Sequence, residues 1–536
     1  MIAKNLCMVN ALGETKASIS YRRLRAPQSH GKSLEIPPLP ECQLDSGILD
    51  RLTLARSEYV DLTDAAKTGR REILKLAERF TSGYRGTKLA DRSHDRIILS
   101  GHQPALFHPG VWYKNFALSQ LGKELEATPI NLIVDNDICG VAAIKTPDVR
   151  KAEARIRMLP LDDPGDNIPF EEREIQNLEV FKSFGERASD QIRPFVPDPI
   201  VNQLWKYLRP GDNQNRLGQT VATARHAYEE TLGLQTLEVP LGQVAQTFAF
   251  AQFAKEVFFR IEAFQDSYNA KLVDYRRLHR IRSRSHPVPQ LSRQEGWFET
   301  PFWAWDRNQP IRRGLYVRRS KRGIELTDLN QLHREIGESS FAEQFRELTQ
   351  TGFVIRPRAL MTTMFSRLLL SDLFLHGIGG AKYDQLTDAI ANEFFGIELP
   401  PFVTLTATMK LPTGSPDFSP DDLTELRTRL RDLKYHPESH LVDSTPEATA
   451  LARLKRDWIE KAEGQTDLKE RHLAIESCND QLQRFVAPLK AEVEQRLLEL
   501  SGEMRNIQIL GSREFSFSLF PESLAQELLN MAKSSA

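Results

Sequence analysis

Cysteine is nearly absent from this chain, with four residues in 536, at Cys7, Cys42, Cys139 and Cys478. None is spaced as CxxC, so the pattern supports neither a disulfide framework nor a thiolate zinc site, and no metal centre is expected. Long apolar runs are lacking as well. None approaches the ~20 residues of a membrane-spanning helix, and the opening MIAKNLCMVNALGETKAS is too interrupted by polar residues for a signal peptide. Nor is there an excess of either charge. The 71 basic and 72 acidic residues leave a formal net charge of -1, which removes any global electrostatic case for nucleic acid or anionic membranes. These absences lead to the expectation of a cytoplasmic protein that acts on a small molecule, with no nucleic-acid or membrane partner.

What is present describes a globular protein of several units. Hydrophobic residues make up 40% and charged residues 27% of the chain, ordinary globular values, and the length suggests roughly three domains. The stretch ILSGHQPALFHPGVWYKNFALSQL, from Ile98 to Leu121, carries the strongest signal. Arg96 to Leu99 is β-branched and apolar, as a buried parallel strand should be. From Val111 the apolar residues Trp112, Phe116, Leu118 and Leu121 recur at a helical period. Between them lies a loop with Gly101, His102, Gln103, His108 and Gly110. A strand, a glycine-bearing turn and a helix start form a ready anion site; the alternative is a packed βα turn whose histidines serve only the backbone.

A second apolar strand, Pro129 to Val134, ends in Asp135-Asn136-Asp137, and further strand candidates span Gly140 to Lys145 and Ala154 to Leu159. Strands separated by a helix-length crossover imply a doubly wound parallel sheet, with ligands at its carboxyl edge. The expected class is therefore α/β. Its sheet is built from two segments, 96–165 and 351–415, separated by a mostly helical insertion at 166–350. Residues 1–95 form a lead-in with a strand at Ser18 to Tyr21 and a helix from Leu49 to Phe80; residues 511–536 form a tail that packs back on the core. In the insertion, Phe248 to Arg280 reads as one long helix running into a basic cluster, Arg276 to His286. That cluster is either a solvated face or an anion clamp. Trp297, Trp303 and Trp305 beside Glu299 are either core or a binding wall. In the second core segment, FVIRPRAL and PFVTLTATMKL read as strands, and LFLHGIGGAKYDQL repeats the strand, glycine turn and helix.

From 416 to 510 leucines recur at three and four, at 423, 426, 430 and 433 and again from Leu482 through Leu489 to Leu500. Two long amphipathic helices in an antiparallel coiled-coil arm are expected, with a kink or a helix start at Pro488, and homodimerisation as the arm's role.

Three places resemble the bacillithiol-biosynthesis cysteine-adding enzymes. Gly101-His102-Gln103-Pro104-Ala105-Leu106-Phe107-His108-Pro109-Gly110 is similar to the family's Gly-Gln-Gln-x-x-Leu-Phe-x-Gly-Pro loop. Phe353 to Arg358 resembles its val-leu-arg-pro strand. Leu375 to Gly380, with Tyr383, resembles its tyr-ile-gly-gly-pro-gly-glu turn. His102 replaces the loop's first glutamine, Val134-Asp135-Asn136-Asp137 stands where the family has ser-glu-asp-his-asp, and Ala381 and Lys382 replace proline and glutamate. The resemblance implies a Rossmann-type core, a coiled-coil domain, and cysteine addition to a glucosaminyl-malate.

On this reading the chain is a ligase-like enzyme that forms a C–N bond, for which activation of a carboxylate makes a nucleotide with magnesium a candidate cofactor. His102 or His108 would be the general acid, Gln103 would face the ligand, and Asp135 and Asp137 would orient the amine or hold magnesium through its waters. Gly101, Gly377, Gly379 and Gly380 would let the backbone approach substrate, with Arg356 and Arg358 as carboxylate forks and Tyr383 beside them. Two other classes remain open: a nucleotidyl transferase, although its HxGH signature is absent, and a non-catalytic coiled-coil scaffold.

Overall fold

The computed structural model describes residues 19, 21, 24–38, 62–86, 96–148, 154–209, 215–281, 288–414, 420–441, 445–460 and 467–535. The chain divides into two compact units. One comprises 1–146, 158–410 and 513–536; the other comprises 147–157 and 411–512.

The first unit opens with β1 (Lys32–Ile36), α1 (Leu62–Ser82), β2 (Ile97–His102), α2 (Pro109–Glu124) and β3 (Thr128–Ile133). After helix α3 (Leu217–Thr231) come β4 (Leu237–Pro240), α4 (Phe248–Phe259) and α5 (Ile261–Leu278). Then follow β5 (Trp297–Asp306), β6 (Gln309–Arg319), β7 (Gly323–Thr327), β8 (His333–Gly337) and β9 (Phe353–Pro357), and finally β10 (Leu373–His376), α6 (Ile378–Phe395) and β11 (Phe402–Thr408).

The main sheet has six strands in the order β1-β11-β10-β2-β3-β4. All neighbours are parallel except β1 with β11 at the edge. The class is mixed α/β with a mostly parallel sheet. Strand β2 is buried on both faces, and Ile97, Ile98, Leu99, Ile130 and Leu132 are solvent-free. This is why both strands read as continuous apolar runs rather than alternating ones. Helix α2 starts where expected because His108 caps it and Pro109 stands at its first turn. Gly110 is required there, since a Cβ would lie 2.3 Å from the carbonyl oxygen of Ala407 in β11.

The second sheet is antiparallel, in the order β8-β7-β6-β5-β9. It overturns the expectation that 166–350 is mostly helical, and FVIRPRAL belongs to it: Ile355 and Arg356 pair with Ala304 and Trp303 of β5. Conversely β4, from within the presumed insertion, is a main-sheet strand. The main sheet is therefore drawn from more of the chain than two segments. Candidates Gly140 to Lys145 and Ala154 to Leu159 give Ala143–Asp148 and Arg155–Pro160, which lie outside the main sheet. The long helix expected over Phe248 to Arg280 breaks at Arg260 (φ -119°, ψ 30°) into α4 and α5. Of the expected N-terminal elements, Ser18, Ser20 and 49–61 lie outside the described residues, as do 282–287 of the basic cluster. In the tail, Phe517 stacks on Trp112 with ring centroids 4.3 Å apart.

The second unit contains α7 (Pro420–Tyr435), α8 (Pro446–Glu460) and α9 (Leu468–Leu510). Helix α9 runs uninterrupted through Pro488, so no helix starts there. Leu433, Val486 and Val493 are buried together, with Leu426, Leu430 and Leu489 packed against them.

Beneath the carboxyl half of the main sheet lies a buried polar network. Arg225 of α3 donates to Glu229 at 2.8 Å and to Glu238 of β4 at 2.6 Å. Asn131 of β3 donates to Glu238 at 2.7 Å; Asn115 and Trp112 of α2 donate to Glu229 at 2.8 and 2.7 Å. Nε2 of His102 lies 2.9 Å from Asn131 and 3.2 Å from Asn115. His226, also buried, has Arg85 at 2.8 Å and Thr236 at 2.9 Å from Nε2, and Tyr84 at 2.7 Å from Nδ1. Burial, then the neighbouring Arg225 and Lys114, hold the His102 imidazole well below its ordinary pKa, and burial with Arg85 and Arg225 does the same to His226.

Replacing Arg225 with Met should cost about 3–5 kcal/mol in urea unfolding, because two buried carboxylates lose their cation. The histidines set a pH dependence. The unfolded imidazoles take up protons below about pH 6.5 while the native ones do not, so stability falls as pH drops below that value. Two such groups give a slope of up to about 2.7 kcal/mol per pH unit. His102→Asn should roughly halve the slope in denaturation curves measured between pH 7.5 and 5.5.

Candidate functional site

The carboxyl ends of β3 and β4 open into a cleft of about 360 Å³, lined by Asp135, Glu171, Glu172, Arg216, Gly242 and Arg307. Asp135 reaches it because β3 stops at Ile133 and the chain turns sharply: the Asp135 N–H donates to the carbonyl of Ile133, and the N–H of Glu171 donates to the carbonyl of Asp135. Oδ1 of Asp135 accepts from the N–H of Gly242 at 2.8 Å. A Cβ at Gly242 would stand 2.7 Å from Oε2 of Glu171 and 3.2 Å from Oδ2 of Asp135, so both carboxyl groups converge on a spot that only glycine leaves open. Glu171 is held from behind by the fully buried Arg356, which forms a bidentate fork with donor distances of 2.9 and 2.8 Å.

Burial, then repulsion from Glu171, pushes the Asp135 carboxyl up to about 8, against the opposing pull of the Gly242 N–H and Arg356. Burial and Glu171 also raise Glu172. Glu172 lies 3.4 Å from Arg216, 3.5 Å from Arg307 and 3.3 Å from the Trp305 indole N–H. The cleft thus offers a proton-holding carboxyl pair and two arginines gathered at Glu172, with Gln219, Gln243 and Gln246 supplying amides.

Of the residues expected at the site, Asp135 lines this cleft and Arg356 braces it. His102 does not face it: at 6% exposure it belongs to the buried network. The reason is its register, since His102 is still in β2, paired with Ile133, rather than in the turn. Gly101 is also in the strand, and its carbonyl accepts from Lys114 at 2.8 Å. Gln103 is exposed and donates to Asp137 at 3.1 Å. Asp137 also accepts from Arg312 at 3.2 Å, outside the cleft lining. His108 caps α2, its Nδ1 accepting from the N–H of Gly110 at 3.1 Å, and burial lowers it to about 4. The anion seat expected at the start of α2 is therefore filled by a side chain of the chain itself. Arg358 donates to Glu299 at 2.6 Å and lies over the Trp303 ring at 4.1 Å. Trp305 is core, whereas Trp303 carries Arg358 on its ring and Arg312 at 4.6 Å. Gly377, Gly379 and Gly380 lie at the start of α6, and Tyr383, within that helix, packs partly buried against the core, which raises its phenol.

Sequence reasoning missed Glu171, Glu172, Arg216, Gly242 and Arg307. Only the Glu171-Glu172 pair offered a signal, an acidic doublet directly after the apolar Ile168-Pro169-Phe170. His226, Glu229 and Glu238 bring three ligand-type atoms within 4.8 Å of one another. Both ring nitrogens of His226 are already engaged, and Arg225 holds both carboxylates, so the donor set suits a guanidinium rather than a metal ion. Among the described residues no helix is long and apolar enough to cross a membrane. No family model matches the chain, and no curated protein matches it.

Asp135 makes the cleft measurable through stability. Between about pH 4 and pH 8 the native carboxyl keeps a proton that the unfolded chain releases. That contribution is complete below the unfolded value and lost as pH rises through about 8. Asp135→Asn should therefore gain melting temperature relative to the parent as pH is raised from 6 to 9; a difference that stays flat would show that the carboxyl is ionised throughout.

Proposed function

We propose that this chain is a C–N bond-forming enzyme of the kind the cysteine-adding family represents, and that the Asp135 cleft binds its α-amino-acid substrate. The observation that carries the reading is one cleft lined by both the Asp135–Glu171 pair and the guanidinium groups of Arg216 and Arg307. An amino acid needs both ends recognised; here the carboxyl groups suit an ammonium, and the guanidinium groups, which Glu172 now engages, suit a carboxylate that shares them with it. A base for amine attack must hold its proton about as tightly as neutral solution does, and Asp135, pushed up to about 8, meets that need. In the step itself the bound ammonium loses two N–H protons, the first to solvent and the second to the ionised form of Asp135, as the freed nitrogen lone pair forms the bond to an activated acyl carbon. The leaving group departs with its own bonding pair. Activation by a nucleotide with magnesium is part of this reading, with no residues assigned to it.

The strand order β4-β3-β2-β10-β11 supports a Rossmann-like core, since it is the doubly wound order in which the chain starts centrally and crosses once to the other side. We further infer that α7 to α9 form a coiled-coil arm that joins two copies. The leucine stripe is satisfied within the unit, but Leu454, Ile459, Leu468, Leu473 and Leu498 remain exposed, Leu498 at 70%, and would gain from a partner surface.

Calorimetric titration with each common α-amino acid tests the substrate. Binding of one of them, cysteine first among the expectations, should be lost by at least about tenfold in Asp135→Asn and in Arg216→Met. Binding by none would overturn the reading. Light scattering should give twice the chain mass of 61.1 kDa; a monomer at micromolar concentration would remove the arm's role in dimerisation.

A further inference from the structure

The two glycine-bearing helix starts of the main sheet differ in one respect. The first turn of α2 is capped by His108. Helix α6, 18 residues long, begins with no side-chain cap at all. Its opening residues leave space: nothing lies within 4 Å of where a Cβ on Gly377 or Gly379 would stand, and Gly379 and Gly380 are exposed. The N–H groups of Ile378, Gly379 and Gly380 occupy a first turn, where no intrahelical acceptor exists.

A buried histidine is aimed into this turn. His376, the last residue of β10, is 7% exposed. Its ring is fixed between Phe374 and Phe402, at centroid distances of 4.5 and 5.2 Å. Nε2 lies 2.9 Å from Oδ2 of Asp384, which also accepts from Arg367 at 2.7 Å. Burial alone would raise Asp384, but Arg367 and His376 outweigh it and hold the carboxyl at about 2. In the neutral imidazole this carboxylate fixes the proton on Nε2 and leaves the Nδ1 lone pair free. Nδ1 has no partner among the described residues and lies 2.4 Å from where a Cβ on Gly380 would be. Any other residue at 380 would cover it.

We propose that the Gly377–Gly380 turn with His376 is a phosphate site, in which the helix-start amides bind the phosphate oxygens and Nδ1 of His376 accepts the proton of a P–OH group. The helix dipole favours the negative charge, while Nδ1 of the neutral imidazole selects for an anion that still carries a proton. A carboxylate or a sulfate at neutral pH has none to offer; a phosphate group near its second ionisation, around pH 6, does. The proton stays shared along that hydrogen bond, and no covalent bond is made or broken. The site is separate from the Asp135 cleft and stands whether or not the function proposed for that cleft is correct.

Calorimetry on the full-length chain at about pH 7, above the ordinary imidazole value and within reach of the second phosphate ionisation, with inorganic phosphate, sulfate and phenyl phosphate as probes, tests this. Phosphate should bind at least about tenfold more tightly than sulfate. His376→Asn should erase that preference. Gly379→Val, whose Cβ meets no protein atom, should keep the parent melting temperature and lose phosphate binding. Phenyl phosphate binding as well as phosphate would identify a phosphomonoester as the natural ligand, and weaker binding would identify the free ion. No phosphate binding at about 10 mM, equal affinity for sulfate, or unchanged binding by Gly379→Val would each overturn the proposal.

Discussion

The guanidinium of Arg225, held between Glu229 and Glu238, is the interaction on which the carboxyl edge of the main sheet depends. Burying three charges is costly, and here the cost is offset by a direct hydrogen bond from Arg225 to each carboxylate and by the amide and indole donors that join them. The network ties α3 to β4 through Glu238, to β3 through Asn131, and to α2 through Asn115 and Trp112. Arg85 adds the segment after α1, donating to the carbonyls of Leu234 and Thr236 just before β4. Elements distant in sequence therefore share one charged centre. The ends of β3 and β4, which carry Asp135 and Gly242, inherit their relative position from it.

The same exclusion of water that makes this network strong also sets the chemistry above it. Burial disfavours charge of either sign, so His102 and His226 stay neutral while Asp135 keeps its proton. Whether such a group serves structure or chemistry depends on access. The histidines are enclosed with their nitrogens bonded; Asp135 borders a cleft and has a second carboxyl close enough to compete for one proton.

Strands β2 and β3 were legible in the sequence because parallel strands buried on both faces must be continuously apolar, and Asp135 was legible because polar residues at such strand ends gather on one edge. The antiparallel sheet was not. WFETPFWAWD in β5 lacks the polar alternation of a half-exposed strand, since Thr300, Pro301, Phe302, Ala304 and Trp305 are all buried, and an aromatic run of that kind is equally consistent with helical core. His102 was misplaced by a single residue of register: sequence spacing separates a histidine ending a strand from one opening a turn only if the strand's last paired residue is known. Glu171 and Arg307 reach the cleft from a turn and a hairpin with no periodic pattern, and their convergence with Asp135 is a property of the fold alone.

The two helix starts show how far local sequence grammar can go. Both follow a parallel strand that ends in histidine, and both contain glycines near the first helical turn. At α2 six residues separate the strand from Pro109, and the last of them, His108, stands at the cap position and accepts from the N–H of Gly110. At α6 the cap position is Gly377, which has no side chain to offer the first turn. The histidine instead remains in the strand, anchored by Asp384 through one nitrogen and turned towards the open amides with the other. The residue at the cap position, histidine in one case and glycine in the other, makes one start self-contained and leaves the other with its first-turn donors still to be met.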